Sequence, residues 1–179
     1  MPMIDVYAPD DLLPSGSDRN LGEQLTLAIL RAEGVTKPAA FHLDNTAAFI
    51  HRMDSAAVQT AARGNARAVR VQIITPPGAL TRNGQKRLVG DATRIVAEVC
   101  GDPTQAQRTW VLLTEAAEGG WGINGTAYGR GEFRGAGEAR VKVILARYGC
   151  ATETVCLGQR RQCAHARVSR SRMGCADAR

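Results

Sequence analysis

Short, mainly apolar runs broken by single polar positions, residues 3–8 and again 68–75, each read as a strand. A proline-containing turn stops each run, at Pro9 and at Pro76-Pro77. Leu21, Leu25, Ala28, Ile29 and Ala32 then recur at helical spacing, with Ser15 or Ser17 as N-cap and Gly34 as terminator. Leu88, Val89, Ala92, Ile95, Val96 and Val99 repeat that face further on, with Thr81 as cap and Gly101 as stop. A loop follows each helix, and residues 46–53 and 108–115 read as second strands.

These two stretches are one pattern written twice. A shift of 67 positions brings Ile4 onto Val71, Val6 onto Ile73, Pro9 onto Pro76, Leu21 onto Leu88 and Gly34 onto Gly101. Each copy is a β-α-β unit, whose strands lie parallel in one sheet with the helix across one face. The expected fold is therefore α/β (α+β), a tandem β-α-β repeat forming a four-stranded mixed sheet with two helices on one face. The expected segments are residues 2–66 for the first unit, 67–133 for the second with a hairpin at its end, and 134–179 as a tail. One sheet face is left uncovered and apolar, which predicts packing against further copies of the chain.

Composition changes this picture mainly at the tail. The chain has 179 residues and a net charge of +6, but residues 1–133 hold 13 basic against 14 acidic groups, so the excess of positive charge belongs to residues 134–179. Four of the five cysteines, Cys150, Cys156, Cys163 and Cys175, lie there as well. No run of 18 apolar residues predicts a membrane span, and the first residues lack the basic and apolar regions of an export signal, so a cytoplasmic location is expected.

Candidate chemistry starts at the second residue. Pro2 is small enough to permit removal of Met1, which would leave a free secondary amine. An α-amino group titrates near pH 7.7–8.0, and burial or a neighbouring cation lowers that value toward the pH at which a base moves protons on and off carbon. Far along the chain stands Glu118-Gly119-Gly120-Trp121-Gly122-Ile123-Asn124-Gly125, directly after the apolar strand that contains Trp110-Val111-Leu112-Leu113.

Together, Pro2 on a repeated β-α-β unit and this aromatic-Gly-Ile hairpin resemble the tautomerase superfamily, most closely 4-oxalocrotonate tautomerase and its fused, double-length relatives. The resemblance covers about residues 2–130. It implies cofactor-free proton transfer between the enol and keto forms of a small 2-oxo acid, with Pro2 as catalytic base and Trp121 as an apolar wall that keeps the prolyl amine neutral. It also implies a homotrimer of fused chains with one prolyl site per chain, because the counterpart of Pro2 is Val69. Short family members carry one arginine in the loop after the first strand and another before the aromatic turn. Here the loop from Pro9 to Ser17 has no arginine, and Trp110 stands at the second position. Arg70, Arg82 and Arg108 are the substitutes expected to bind the substrate carboxylate, Arg108 lying two residues before Trp110 and so on the same strand face.

Related enzymes use the protonated proline as a general acid, in hydrolytic dehalogenation or decarboxylation, so that chemistry stays open as an alternative. A non-enzymatic binding module with a basic tail that grips nucleic acid is another, the less favoured because Tyr148 is the tail's one aromatic residue. His42, His51 and His165 do not stand at metal-ligand spacing with other donors in residues 1–133, and no metal or cofactor is expected. Cys100, ending an apolar helical face, reads as a small buried hydrophobe, and His42 and Asn45 as local caps of a loop.

Overall fold

The computed structural model describes residues 2–131 except Arg63, Asn65 and Asn124. The basic tail of residues 134–179, with the four cysteines and the nucleic-acid alternative that rests on it, lies outside the described residues. Strand β1 (Met3–Pro9) leads through a turn to helix α1 (Asp18–Ala32), a short helix α2 (Ala40–Asp44) and strand β2 (Ala47–Met53). The second unit repeats this order with β3 (Val69–Thr75), α3 (Arg82–Cys100) and β4 (Thr109–Glu115). A small hairpin, β5 (Trp121–Ile123) and β6 (Thr126–Tyr128), closes the described chain as a separate two-stranded sheet.

The four long strands form one mixed sheet in the order β2-β1-β3-β4. Each unit is internally parallel, and the units meet through an antiparallel β1–β3 pair in which Ile4 faces Ile73 and Val6 faces Val71. That pairing relates the two units by an approximate two-fold axis through the middle of the sheet. What lies at one end of the first unit therefore has its counterpart at the opposite end of the sheet in the second.

Strand alternation decides what is covered. Ile4, Val6 and Ala8 of β1 and Val69, Val71 and Ile73 of β3 point at the helices, where Leu21, Leu25 and Ile29 of α1 and Leu88, Ile95 and Val96 of α3 complete a fully buried core. Each such side chain contributes about 1.5–3 kcal/mol by leaving water. Thr81 caps α3 by accepting from the Gly84 N–H at 3.1 Å, and Gly101 ends it with a φ of 67°. Ser17 precedes α1 but turns its hydroxyl back to the Pro14 carbonyl (2.7 Å) and caps nothing.

The other sheet face carries Met3, Asp5 and Tyr7 of β1, Phe49 and His51 of β2, Arg70 and Gln72 of β3, and Trp110 and Leu112 of β4. Phe49 is 50% exposed, Trp110 51% and Leu112 46%, values far above those of ordinary core residues. Polar groups are woven among them. Asp5 meets His51 Nε2 at 2.7 Å, the His51 ring stacks on Tyr7 at 4.4 Å, and the Arg70 guanidinium lies over the Tyr7 ring at 4.3 Å.

Candidate active site

Pro2 is buried where β1 begins, and its carbonyl accepts a hydrogen bond from the Ala47 N–H at 3.3 Å. Because Met3 pairs with Ala47 on one side and Ile74 on the other, Pro2 lies at the end of the sheet where β3 and β4 finish. Helix α1 runs back against β1, so its C-terminus returns to this end, and α3 starts there. The two helices touch closely at that point. A Cβ added to Gly84 would stand 2.7 Å from the Ala32 carbonyl oxygen, a contact that only glycine permits.

The three arginines expected to bind carboxylate do not lie together. Arg70 pairs with Trp110 on one side and Tyr7 on the other, so it stands five residues along from Pro2, about 16 Å away at 3.3 Å per residue. Arg108 is at that far end too. It belongs to a 3₁₀ turn, Pro103–Arg108, so the expected strand begins one residue later, at Thr109, and Arg108 does not share a strand face with Trp110. Pro103 and the Asp102 cap, which accepts from the Thr104 N–H, favour that turn over strand. Its guanidinium is taken by Asp102 (2.9 Å) and Gln105 (3.2 Å). Arg82 differs. As the first residue of α3 it lies at the Pro2 end, exposed, with one bond to Gln85 Oε1 at 3.2 Å.

The hairpin springs from the same end. β4 finishes at Glu115, opposite Thr75, and six residues later Trp121 is buried and paired with Tyr128, which is buried as well. The chain then brings Arg130 back to the loop after β3. Arg130 meets Glu115 at 3.3 Å, its N–H donates to Glu118 at 2.6 Å, and its side chain fills the space that a Cβ on Gly78 would take. Glu115 also accepts from the Gly78 N–H at 2.8 Å.

Two charged groups at this end are absent from the expectations above, Arg130 and Glu33. Glu33 is the C-cap of α1 and one of its carboxylate oxygens, Oε1, is fully buried. Burial raises its pKa above the ordinary carboxylate value, while the positive charge of the chain's amino terminus, and a hydrogen bond with it, pull the other way. A signal for Glu33 did exist, since an acid at a helix C-terminus has the wrong sign for the helix dipole. Arg130 has no such mark in sequence; only the folded hairpin brings it to Gly78.

His42 and Asn45 act locally, His42 Nδ1 accepting from the Ala39 N–H (3.2 Å) and Asn45 donating to the Phe41 carbonyl (2.8 Å). Cys100 is half-buried against the core, and burial, followed by the nearby Asp102 charge, raises its thiol pKa. Among the described residues no group of three His, Cys, Asp or Glu side chains is arranged to hold a metal ion, and no helix is long and apolar enough to cross a membrane.

No family model and no curated protein matches the sequence. Solved structures do. A symmetric trimer of fused 4-OT is similar with a TM-score of 0.59 at 17% identity, over 70% of this chain and 94% of that one. The chain shares the fold of that structure. A member of the cis-3-chloroacrylic acid dehalogenase family is similar at a TM-score of 0.60 and 17% identity, over 81% of this chain and 99% of that one. A macrophage migration inhibitory factor-like protein from Entamoeba histolytica is similar at 0.56 and 12%, over 71% and 98%. Identities this low carry the tautomerase fold alone, and the α+β architecture read from the repeat agrees with it.

Proposed function

We propose that this chain is a cofactor-independent tautomerase acting on a small 2-oxo acid, with the Pro2 nitrogen, freed by loss of Met1, as general base. One observation carries the reading: Pro2 is buried at the head of a central strand of a tautomerase fold, while its counterpart Val69 has an ordinary amide nitrogen. In the reaction the amine takes the proton from the substrate's α-carbon and the C–H electron pair moves onto the carbonyl oxygen as an enolate. Return of the proton at another atom completes the isomerisation, and no oxidant or reductant is needed.

Stabilising that enolate and holding the carboxylate calls for cations or N–H donors. Arg82 is the anchor within one protomer in this reading, and Arg70 and Arg108 serve only when a neighbouring protomer contributes them. Trp121 is the apolar wall that disfavours the charged amine. The assembly is a homotrimer with the open sheet face turned inward, a reading supported by exposed Phe49, Trp110 and Leu112 and by the trimeric state of the fused 4-OT structures. A second reading, the protonated proline as general acid in dehalogenation or decarboxylation, is favoured by one observation, the acid Glu33 acting on the amino terminus.

Pro2→Ala tests the base assignment once intact mass has confirmed that Met1 is absent. Ketonisation of phenylenolpyruvate or 2-hydroxymuconate should fall by about 10²- to 10⁴-fold with an unchanged circular dichroism spectrum. Full turnover in that variant removes proline from the mechanism.

A further inference from the structure

The end of the sheet that begins at Pro2 contains an acid that the proton transfer just proposed does not use. Glu33 follows the last residue of α1, is half-buried, and has Oε1 wholly out of contact with solvent. A carboxyl in such a place is costly unless a donor or positive charge meets it. The charge that acts on it is the chain's own amino terminus. Of the other charged side chains near this end, Arg31 on α1 and Arg87 on α3 border, with Asp91, a cavity of about 150 Å³, Arg82 turns to Gln85, and Arg130 is bonded to Glu115 and Glu118.

The repeat supplies an independent comparison. Sixty-seven positions on, Val69 takes the place of Pro2 and Cys100 takes the place of Glu33. The unit with a proline at the head of its strand has an acid at the end of its helix, and the unit without the proline has a thiol that burial holds in its neutral form. An acid at the C-terminal end of a helix also opposes the helix dipole, so the helix itself gains nothing from Glu33.

We propose that Glu33 is the positioning residue for the catalytic amine: its carboxylate accepts one N–H of Pro2 once Met1 is gone and thereby orients the nitrogen toward substrate. Loss of Met1 moves the terminal charge by one Cα step, about 3.8 Å, within the swing of a glutamate side chain. The chemistry then divides cleanly. A neutral secondary amine has one hydrogen and one lone pair. Glu33 fixes the hydrogen, so the lone pair is aimed at the substrate's C–H bond. After proton capture the nitrogen has two hydrogens, and the one not held by Glu33 is returned to substrate as the C–H or O–H bond forms. The anion also stabilises the protonated amine, and so sets how far the site leans from base toward acid.

This inference rests on Pro2 being the reacting group, but its test does not require turnover. In protein labelled with ¹⁵N at proline, titration of the terminal nitrogen should show a pKa lower by one unit or more in Glu33→Gln, with the acid limb of the rate profile moving by the same amount. Glu33→Asp should recover part of that shift. A terminal nitrogen that titrates identically in wild type and Glu33→Gln, both with native circular dichroism, overturns the assignment. Should Glu33→Gln fail to fold, ¹³C titration of the Glu33 carboxyl in the wild type decides instead: steps linked to the amine support the pairing, and independent steps overturn it. Active Pro2→Ala with an amine still coupled to Glu33 would refute the base reading alone, so the two failures are separable.

Discussion

The two ends of the sheet are the same piece of architecture built from different residues. At one end Pro2 precedes β1, Glu33 caps the end of α1, and Arg82 and Arg130 stand around the rim. At the other β3 starts with Val69, α3 finishes with Cys100, and the surrounding cations are occupied. Arg108 is held by Asp102, Arg67 by Asp11 at 2.8 Å, and Arg52 by Asp18 and the carbonyls of Asp10, Leu13 and Pro14. Buried Gln105 fills the space beneath, donating to the Arg67 carbonyl at 3.0 Å. The far end is tied by these bonds around a cavity of about 270 Å³ lined by Arg67, Arg108 and Trp110, and the other end has charged groups at the rim of the sheet where Pro2 is buried.

The comparison is sharpest in the shared core, where the largest effects are expected. Leu21 and Leu88 are counterparts 67 positions apart and both are fully buried. Leu21→Ala and Leu88→Ala should each lower stability by about 2–5 kcal/mol in urea unfolding, and by similar amounts. A cost borne by one alone would mean that the two units do not share the core equally. Gln105→Leu should come next, at about 1–3 kcal/mol, because it removes the hydrogen bond that the buried Gln105 amide makes to the Arg67 carbonyl. The change should loosen the far end without altering titration of the terminal amine, and a shifted amine would show that the two ends are coupled.

The smallest effect carries a sign. An acid whose folded pKa lies above its unfolded value binds more protons when folded, so stability falls as pH rises from the unfolded value, 4.5 for Glu33, through the raised folded one. Glu33→Gln should therefore match wild type in acid near pH 4 and be the more stable protein at pH 8. Cys100→Ser should show no such crossover in that range, since its thiol is neutral throughout. A glutamine variant less stable than wild type at pH 8 would mean that attraction to the amine outweighs the burial.

Sequence pattern reached the scaffold because burial imposes a period. The apolar runs of β1 and β3 mark them as strands, the helical faces of α1 and α3 encode which side meets the core, and the shift of 67 positions encodes that there are two units. The short helix α2 has no buried residue and hence no period to betray it. Arg108 reads as strand because nothing local to it reports the Pro103 turn that removes it from β4. Membership of one end or the other is a matter of antiparallel pairing between units, which no local pattern contains, and that is why Arg70, Arg82 and Arg108 look interchangeable in the chain and are not in the fold.

The hydrogen that stands for a side chain at Gly84 reaches further than its own turn of helix. With the carbonyl of Ala32 only 2.7 Å from where a methyl group would sit, the second unit's helix dictates the resting place of the residue that follows Ala32, which is Glu33. The two copies of the motif are in this way fitted to each other. Severed into separate peptides, the half with the proline would lose the abutment that holds its acid in place, however well its own strands still paired.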